Sequence, residues 1–417
     1  MPEACGDKVG RSSAIRSMTK SGLVRNELME IGLGRESGTS VALRPLVSDE
    51  SIAPERRAHI SDVIWSARQR FFVGALLALL MTATVGVDHA QGRSEVQSHA
   101  SPFRVVDFEW IDSGRARAVP ARLYWPDDTV RAARVPLIVF SHGMGGSRRG
   151  YSYLARYWAA RGIASLHVQH VGSDSSLWAG NPLTLVSRLQ SAAQESEALA
   201  RGLDVRFALN RLLSGEAGAY NAGIDRKRII AAGHSYGANT ALVAVGAAVT
   251  RNGKRMEAHD TRFSAAILIS SPPFYGERDV ASVLNNVTVP TLHVTATDDV
   301  IRIPGYYSAV TDRLAIYNAI ATPRKSLVVF EGGSHSMFTD RGLTGGRELN
   351  PKVKAATAEL TLAFLDLIFD GNRSDMMQWN LKWKPILALS PGVFPVSGPV
   401  AQSRKERTTT ANPHMSR

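Results

Sequence analysis

From Pro102 onward, short apolar runs alternate with longer stretches in which apolar residues recur every three or four positions. The short runs are VPLIVFSHG ending at Gly143, GIASLHVQH at His170, RIIAAGHS at Ser235, AAILISSPP at Pro273, TLHVTATDD at Asp299 and SLVVFEGGSH at His335. Each reads as a strand buried on both faces. Between them, stretches such as Tyr151 to Arg161 and Gln190 to Leu213 read as helices. Strands separated by helices of this length predict parallel βαβ crossovers, hence an α/β fold with a mostly parallel central sheet flanked by helices on both faces. Upstream, FRVVDFEW and ARAVPARLYWP are rich in Val, aromatics and alternating polar residues and predict an antiparallel pair at the sheet edge. Open sheets of this kind bind ligands beyond the carboxyl ends of their strands.

The chain outside this pattern reads differently. Residues 1–66 have mixed charge, many Ser, Gly and Arg and no sustained period, the composition of a disordered leader or of a start site assigned too early. In residues 67–90, Arg68 and Arg70 precede an apolar run from Phe71 to Val87, followed by Ala90 and polar chain. That order predicts a secretory signal peptide. The run is marginal for a bilayer core of about 30 Å, so an uncleaved anchor is the second reading and a buried helix the third. Residues 102–371 form the expected folded domain, closed by an amphipathic helix over Ala355 to Asp370. Residues 372–417 carry Pro, Ser and basic residues without a period and are expected to be a loosely attached tail, whose Trp379, Trp383 and Ile386 could meet a membrane or the domain.

Composition narrows the function. The chain has 417 residues, 44% hydrophobic and 21% charged, enough to bury one large core. Its formal charge of +12 is scattered, with no basic stripe interleaved with aromatics and no zinc-finger spacing, so no nucleic-acid partner is expected. Cys5 is the single cysteine, which excludes an internal disulfide and a thiolate zinc site. Its position before the signal suits an exported enzyme, secreted or periplasmic, that does not rely on disulfides.

The most informative stretch is RIIAAGHSYGANTAL, in which a serine stands between two glycines at the junction of a predicted strand and helix. Gly-x-Ser-x-Gly in that setting is a nucleophile elbow: the turn is sharp, the Ser235 hydroxyl stands clear of the sheet, and Gly233 and Gly237 avoid clashes. A serine hydroxyl is a poor nucleophile at neutral pH and needs a histidine and a carboxylate, in this arrangement downstream in the order acid, then histidine. HVTATDDVIRIPG supplies Asp298 and Asp299, and VVFEGGSHSMF supplies His335, all after predicted strands. Asp299 is the preferred acid and Asp298 the alternative. The loop FSHGMGGSRRGY after the first central strand is placed to supply one oxyanion N–H, from Met144, and the residue after the nucleophile, Tyr236, supplies the other. His142 precedes the serine and reads as a buried positioning residue rather than the base. The loop lacks the spacing of a dinucleotide or phosphate-binding motif. His167 and His170, with no third ligand evident, read as structural histidines rather than metal ligands. Trp178, with Leu177 and Pro182, is placed to form an apolar wall against the substrate, or to pack its loop onto the domain.

Together, LIVFSHGMGGSRRGYSYLARYWAARGIASLHVQHVGSD, GHSYGA, TATDDVIRIPG and GGSHSMF resemble the bacterial dienelactone hydrolase-like and platelet-activating-factor acetylhydrolase-like branch of the α/β-hydrolases, close to chlorophyllases and cutinases. The resemblance covers roughly Arg104 to Gly371. It implies an α/β-hydrolase fold and hydrolysis of carboxylic esters, of short-chain or lipid type, through an acyl-enzyme and without a cofactor or metal. Dienelactone hydrolases proper use a cysteine nucleophile, whereas this chain has Ser235, which argues against a dienelactone substrate. Two other functions are compatible with the sequence: a peptidase or amidase using the same residues, and a catalytically silent binding module. Oligomeric state is not legible.

Overall fold

A computed structural model describes residues 101–389, apart from 129, 252–253, 257 and 304. The expected signal segment at 67–90, the leader before it and residues 390–417 lie outside the described residues. Among the described residues, no helix is long and apolar enough to cross a membrane.

Among the described residues, nine strands form the main sheet: β1 (Phe103–Asp112), β2 (Arg117–Pro126), β3 (Val135–Ser141), β4 (Ala164–Val168), β5 (Ile224–His234), β6 (Ala265–Ile269), β7 (Thr291–Ala296), β8 (Lys325–Phe330) and β9 (Leu387–Leu389). Their spatial order is β1-β2-β4-β3-β5-β6-β7-β8-β9. The β4-β3-β5-β6-β7-β8 block is parallel, while β1-β2, β2-β4 and β8-β9 pair antiparallel. The six apolar runs therefore became the six parallel strands, and the edge pair formed as its alternation predicted. The helices that cover the sheet and support its strand ends include α1 (Ser152–Ala159), α2 (Leu185–Ala192), α3 (Glu195–Leu213), α4 (Tyr236–Ala244), α5 (Val310–Ala319), α6 (Leu349–Asp370) and α7 (Ser374–Trp383).

Both faces of the central strands are apolar, and the period of two sorts them into two cores. Leu137 and Val139 of β3, with Ile229 and Ala231 of β5, join Val205, Leu209 and Leu242 from α3 and α4 on one face. Ile138, Phe140, Ile230 and Ala232 join Leu154, Trp158 and Phe364 from α1 and α6 on the other. Register aligns the carboxyl ends: Ser141 of β3 faces Gly233 of β5, which faces Leu268 of β6. Loops leaving these ends gather on one edge of the sheet, where Met144, Ser235, Ser270, Asp299 and His335 follow strands β3, β5, β6, β7 and β8.

The region after 371 departs from the loose tail read from its composition. Met376 and Trp379 of α7 are buried in the second core, and the Trp379 indole donates to the Ala356 carbonyl at 2.7 Å. Trp383 Nε1 donates to Glu359 at 2.8 Å, Ile386 packs on the same core, and β9 adds a strand to the sheet edge. These aromatics thus meet the domain. Burying an apolar side chain contributes about 1.5–3 kcal/mol, and Met376 and Trp379 together dock this short helix.

Candidate active site

The turn at Ser235 explains the two glycines beside it. Ser235 has φ 56° and ψ −125°, a conformation that L-residues rarely adopt and that stores roughly 1–3 kcal/mol of strain. A Cβ on Gly233 would lie 2.2 Å from the Gly237 carbonyl oxygen, and one on Gly237 would lie 1.9 Å from that of Ser141. No larger residue fits either place. The Ser235 N–H is tied to Ile269 O at 2.9 Å, and α4 begins at the next residue. The strained serine is thereby held between strand and helix with its hydroxyl pointing outward.

His335 Nε2 accepts from the Ser235 hydroxyl at 2.8 Å, and His335 Nδ1 donates to Asp299 Oδ1 at 2.7 Å. Asp299 is fully buried. Its Oδ2 accepts from Thr295 Oγ1 at 2.7 Å and from Ser270 Oγ at 2.5 Å, and Arg313 approaches Oδ1 at 3.4 Å. Burial alone would raise its pKa; the His335 hydrogen bond and charge, with Arg313 and Ser270, outweigh it and hold the carboxyl well below the usual range. It is a permanent anion behind the imidazole. Asp298, its neighbour, is exposed and takes no part in this chain.

Ser270 is a component that sequence reasoning missed. It is fully buried, sits at φ 53°, and its hydroxyl donates to Asp299 while lying 2.8 Å from His335 Nδ1. The available signal was its place immediately after β6, on the same strand-end edge as the other site residues.

Met144, Ser235 and Tyr236 are among the residues that line a cavity of about 160 Å³. Neighbouring amides are already engaged, Gly145 N–H with Ser173 O and Ala238 N–H with Ser235 O, both at 2.8 Å. Behind the loop lies Arg201 of α3, wholly buried on what the helical period marks as its apolar side. It donates to Ser173 Oγ at 2.8 Å, to Thr240 Oγ1 at 2.9 Å and to the His142 carbonyl, and its guanidinium stacks on the Tyr236 ring at 4.4 Å. His142 is buried, its Nε2 accepting from His170 N–H at 3.1 Å and its Nδ1 donating to Gly143 O at 2.7 Å. Burial and then the Arg201 charge push its pKa far down, so the neutral ring shapes the loop. His170 lies just beyond β4, bridging Asp204 at 3.1 Å and Ser141 Oγ at 2.7 Å, while His167 stacks on Phe140 at 4.9 Å. Among the described residues, no three His, Cys, Asp or Glu side chains are grouped as a metal would require.

The cavity is chiefly apolar. Leu199, Val243, Phe274, Ile303 and Tyr306 are among its walls, and Ser235 is at its surface. Trp178 takes a different place from the wall its loop suggested: it is 51% exposed and its indole donates to Gly145 O at 2.7 Å, outside the lining. Leu177 is buried with Leu189 and Ala192 of α2 against Met144 and Ile303. This loop therefore buttresses the cavity from behind, because its indole N–H is satisfied by the Gly145 carbonyl rather than facing inward.

Comparison with known proteins finds two sequence similarities and one structural likeness. The family described as "Platelet-activating factor acetylhydrolase, isoform II" matches residues 118–198, the stretch from β2 through the Met144 loop to the start of α3. Platelet-activating factor acetylhydrolase of Cavia porcellus is 21% identical over 367 residues, covering 78% of this chain and 73% of that protein. A ferulic acid esterase from Streptomyces cinnamoneus superposes with a TM-score of 0.48 at 20% identity, covering 67% of this chain and 94% of the esterase. The chain is thus similar in sequence to the platelet-activating-factor acetylhydrolases.

Proposed function

We propose that this chain is an α/β-hydrolase and a serine carboxylic-ester hydrolase, in which Ser235, His335 and Asp299 act as one catalytic unit. The observation that carries the reading is the unbroken hydrogen-bonded chain from the Ser235 hydroxyl through His335 to the buried Asp299, at the wall of an apolar cavity. The Ser235 hydroxyl attacks the ester carbonyl while His335 Nε2 takes its proton; the imidazolium is stabilised by ionised Asp299. Backbone N–H groups of Met144 and Tyr236 hold the developing oxyanion. Protonated His335 then gives its proton to the departing alcohol, leaving an acyl-Ser235 ester. Water, deprotonated by His335, releases the acid.

The apolar walls support esters whose acyl or alcohol part is short-chain or lipid-like, in keeping with the acetylhydrolase relatives. The flanks of residues 67–90 support export to the periplasm or medium, with mature protein beginning between about 85 and 98. A panel of p-nitrophenyl esters of increasing chain length, run on protein starting near Gln91, tests the activity. Sequencing the amino terminus of protein isolated from its source tests the export: a terminus at Met1 would contradict it.

A further inference from the structure

We propose that Tyr151 and His234 form a positioning relay, joining the oxyanion loop to the general base through Gly143 N–H, the Tyr151 hydroxyl, the His234 ring and the His335 carbonyl. The inference rests on the esterase reading. Gly143 N–H donates to Tyr151 Oη at 3.1 Å, Tyr151 Oη and His234 Nδ1 are 2.9 Å apart, and His234 Nε2 lies 3.1 Å from His335 O. Chemistry fixes every proton in this chain. A carbonyl can only accept, so His234 Nε2 carries the hydrogen; the neutral ring then accepts at Nδ1, and Tyr151 must be the donor there. The phenol oxygen remains to accept from Gly143. Each group is used once and none is left over.

Protonation of His234 would break this order, since both ring nitrogens would then donate and the phenol would have nowhere to place its hydrogen. Burial first, and the His335 charge next, keep the His234 pKa well below its ordinary value. His234 is therefore unsuited to proton transfer and fitted to holding neighbours in place. Its ring also packs on that of His335, with centroids 4.7 Å apart.

Two features argue that the relay is tightly constrained. Tyr151 is 3% exposed and sits at φ 59°, a left-handed conformation that is a rare strain for a bulky side chain and persists only where surroundings over-determine it. A Cβ on Gly143 would meet Tyr151 Oη at 3.2 Å and His234 Nδ1 at 3.3 Å, so the loop backbone lies directly against the relay. Met144, with its oxyanion N–H, is the next residue. The relay thus links the position of the charge-stabilising amide to that of the base, two parts that must be aligned to within a fraction of an ångström in the transition state.

The test compares wild type, Tyr151→Phe, His234→Gln, His234→Leu and the double variant Tyr151→Phe/His234→Leu on one p-nitrophenyl ester that wild type hydrolyses. Rates are normalised to the sites titrated by a fluorophosphonate. We expect Tyr151→Phe to lower kcat about 10–100-fold, with KM within about twofold, because alignment matters in the transition state more than in substrate binding. His234→Leu should lose at least as much. His234→Gln, whose side-chain N–H can reach the His335 carbonyl, should recover about tenfold of that loss. The double variant should be no worse than His234→Leu alone. The relay is overturned if Tyr151→Phe keeps kcat within about twofold, if KM rises as far as kcat falls, or if the two losses multiply. Should His234→Leu fail to fold, Tyr151→Phe and His234→Gln decide the matter by the same criteria. If wild type hydrolyses no ester, the esterase reading falls and the relay with it.

Discussion

The Ser270 hydroxyl lies 2.8 Å from His335 Nδ1 and 2.5 Å from Asp299 Oδ2, bridging the acid and the base from a buried, left-handed residue. Together with Thr295, which donates to the same oxygen, it fixes the carboxylate, and it limits rotation of the imidazole. Removing it should leave the acid with the Thr295 bond alone on Oδ2. Ser270→Ala and Ser270→Gly should therefore lower kcat alike, by roughly tenfold, since both lack the hydroxyl. Their melting temperatures should differ, because Ala keeps the positive φ strain that Gly relieves. Equal kcat to wild type in both would show the hydroxyl to be mere packing.

Ser235→Ala and His335→Ala should each reduce turnover by about 10³–10⁶, and the double variant should be scarcely worse. Steady-state kinetics on any accepted ester decide this. Independent multiplication of the two losses would contradict a single catalytic unit.

The two adjacent aspartates separate sharply in space. Asp299→Asn should lose about 10⁴ in kcat, the size seen for the orienting carboxylate in serine proteases, because an amide at that place imposes the wrong tautomer on His335. The exposed Asp298→Asn should stay within about tenfold of wild type. The opposite pattern would move the acid by one residue.

A pH effect is built into α6. Burial first, then the charges of Asp375 and Asp370, push the Asp366 carboxyl up to about 6. Its folded value lies above the ordinary value of 3.8, so the folded state binds this proton more tightly. The group then disfavours the fold once pH exceeds both values, and that penalty fades as pH falls through 6. Asp366→Asn should raise the melting temperature at about pH 8, by a degree or more, and the gain should shrink towards pH 4. A gain independent of pH would mean that packing, not ionisation, is responsible.

Cavity shape should set chain-length preference. Val243 of α4 lines the cavity, and Val243→Phe fills part of it. The ratio of kcat/KM for a hexanoyl over an acetyl p-nitrophenyl ester should fall about tenfold or more, in line with the roughly 1–3 kcal/mol that a methylene-sized change in a pocket can supply. An unchanged ratio would place the acyl chain elsewhere.

The layered fold was legible because its strands are buried on both faces, which leaves unbroken apolar runs such as VPLIVF and RIIAA, and because helical periods fill the gaps. Ser235 and His335 were legible from a spacing that only a sharp strand-to-helix turn requires and from chain order. The carboxylate that meets His335 was legible only to within two residues: which of two neighbours at a turn faces inward depends on the backbone of β7 and its loop. Ser270 and His234 were not legible as partners of His335, nor Tyr151 as a partner of His234, since their contacts join separate strand ends. The docking of Trp379 was hidden for a similar reason, because the groove it fills is made by α6, not by its own neighbours. Sequence left two places open for Trp178, the cavity wall or packing of its loop onto the domain, because it put the loop near the site without saying which way the indole turns.

The most direct test of the account is to treat the protein with a fluorophosphonate and locate the adduct by peptide mass mapping while following ester hydrolysis. The account predicts one label per chain, on the hydroxyl of Ser235, with esterase activity lost in proportion to labelling and no label in His335→Ala on the same timescale. A label on another residue with Ser235 unmodified, or hydrolysis that survives full labelling of Ser235, would contradict it.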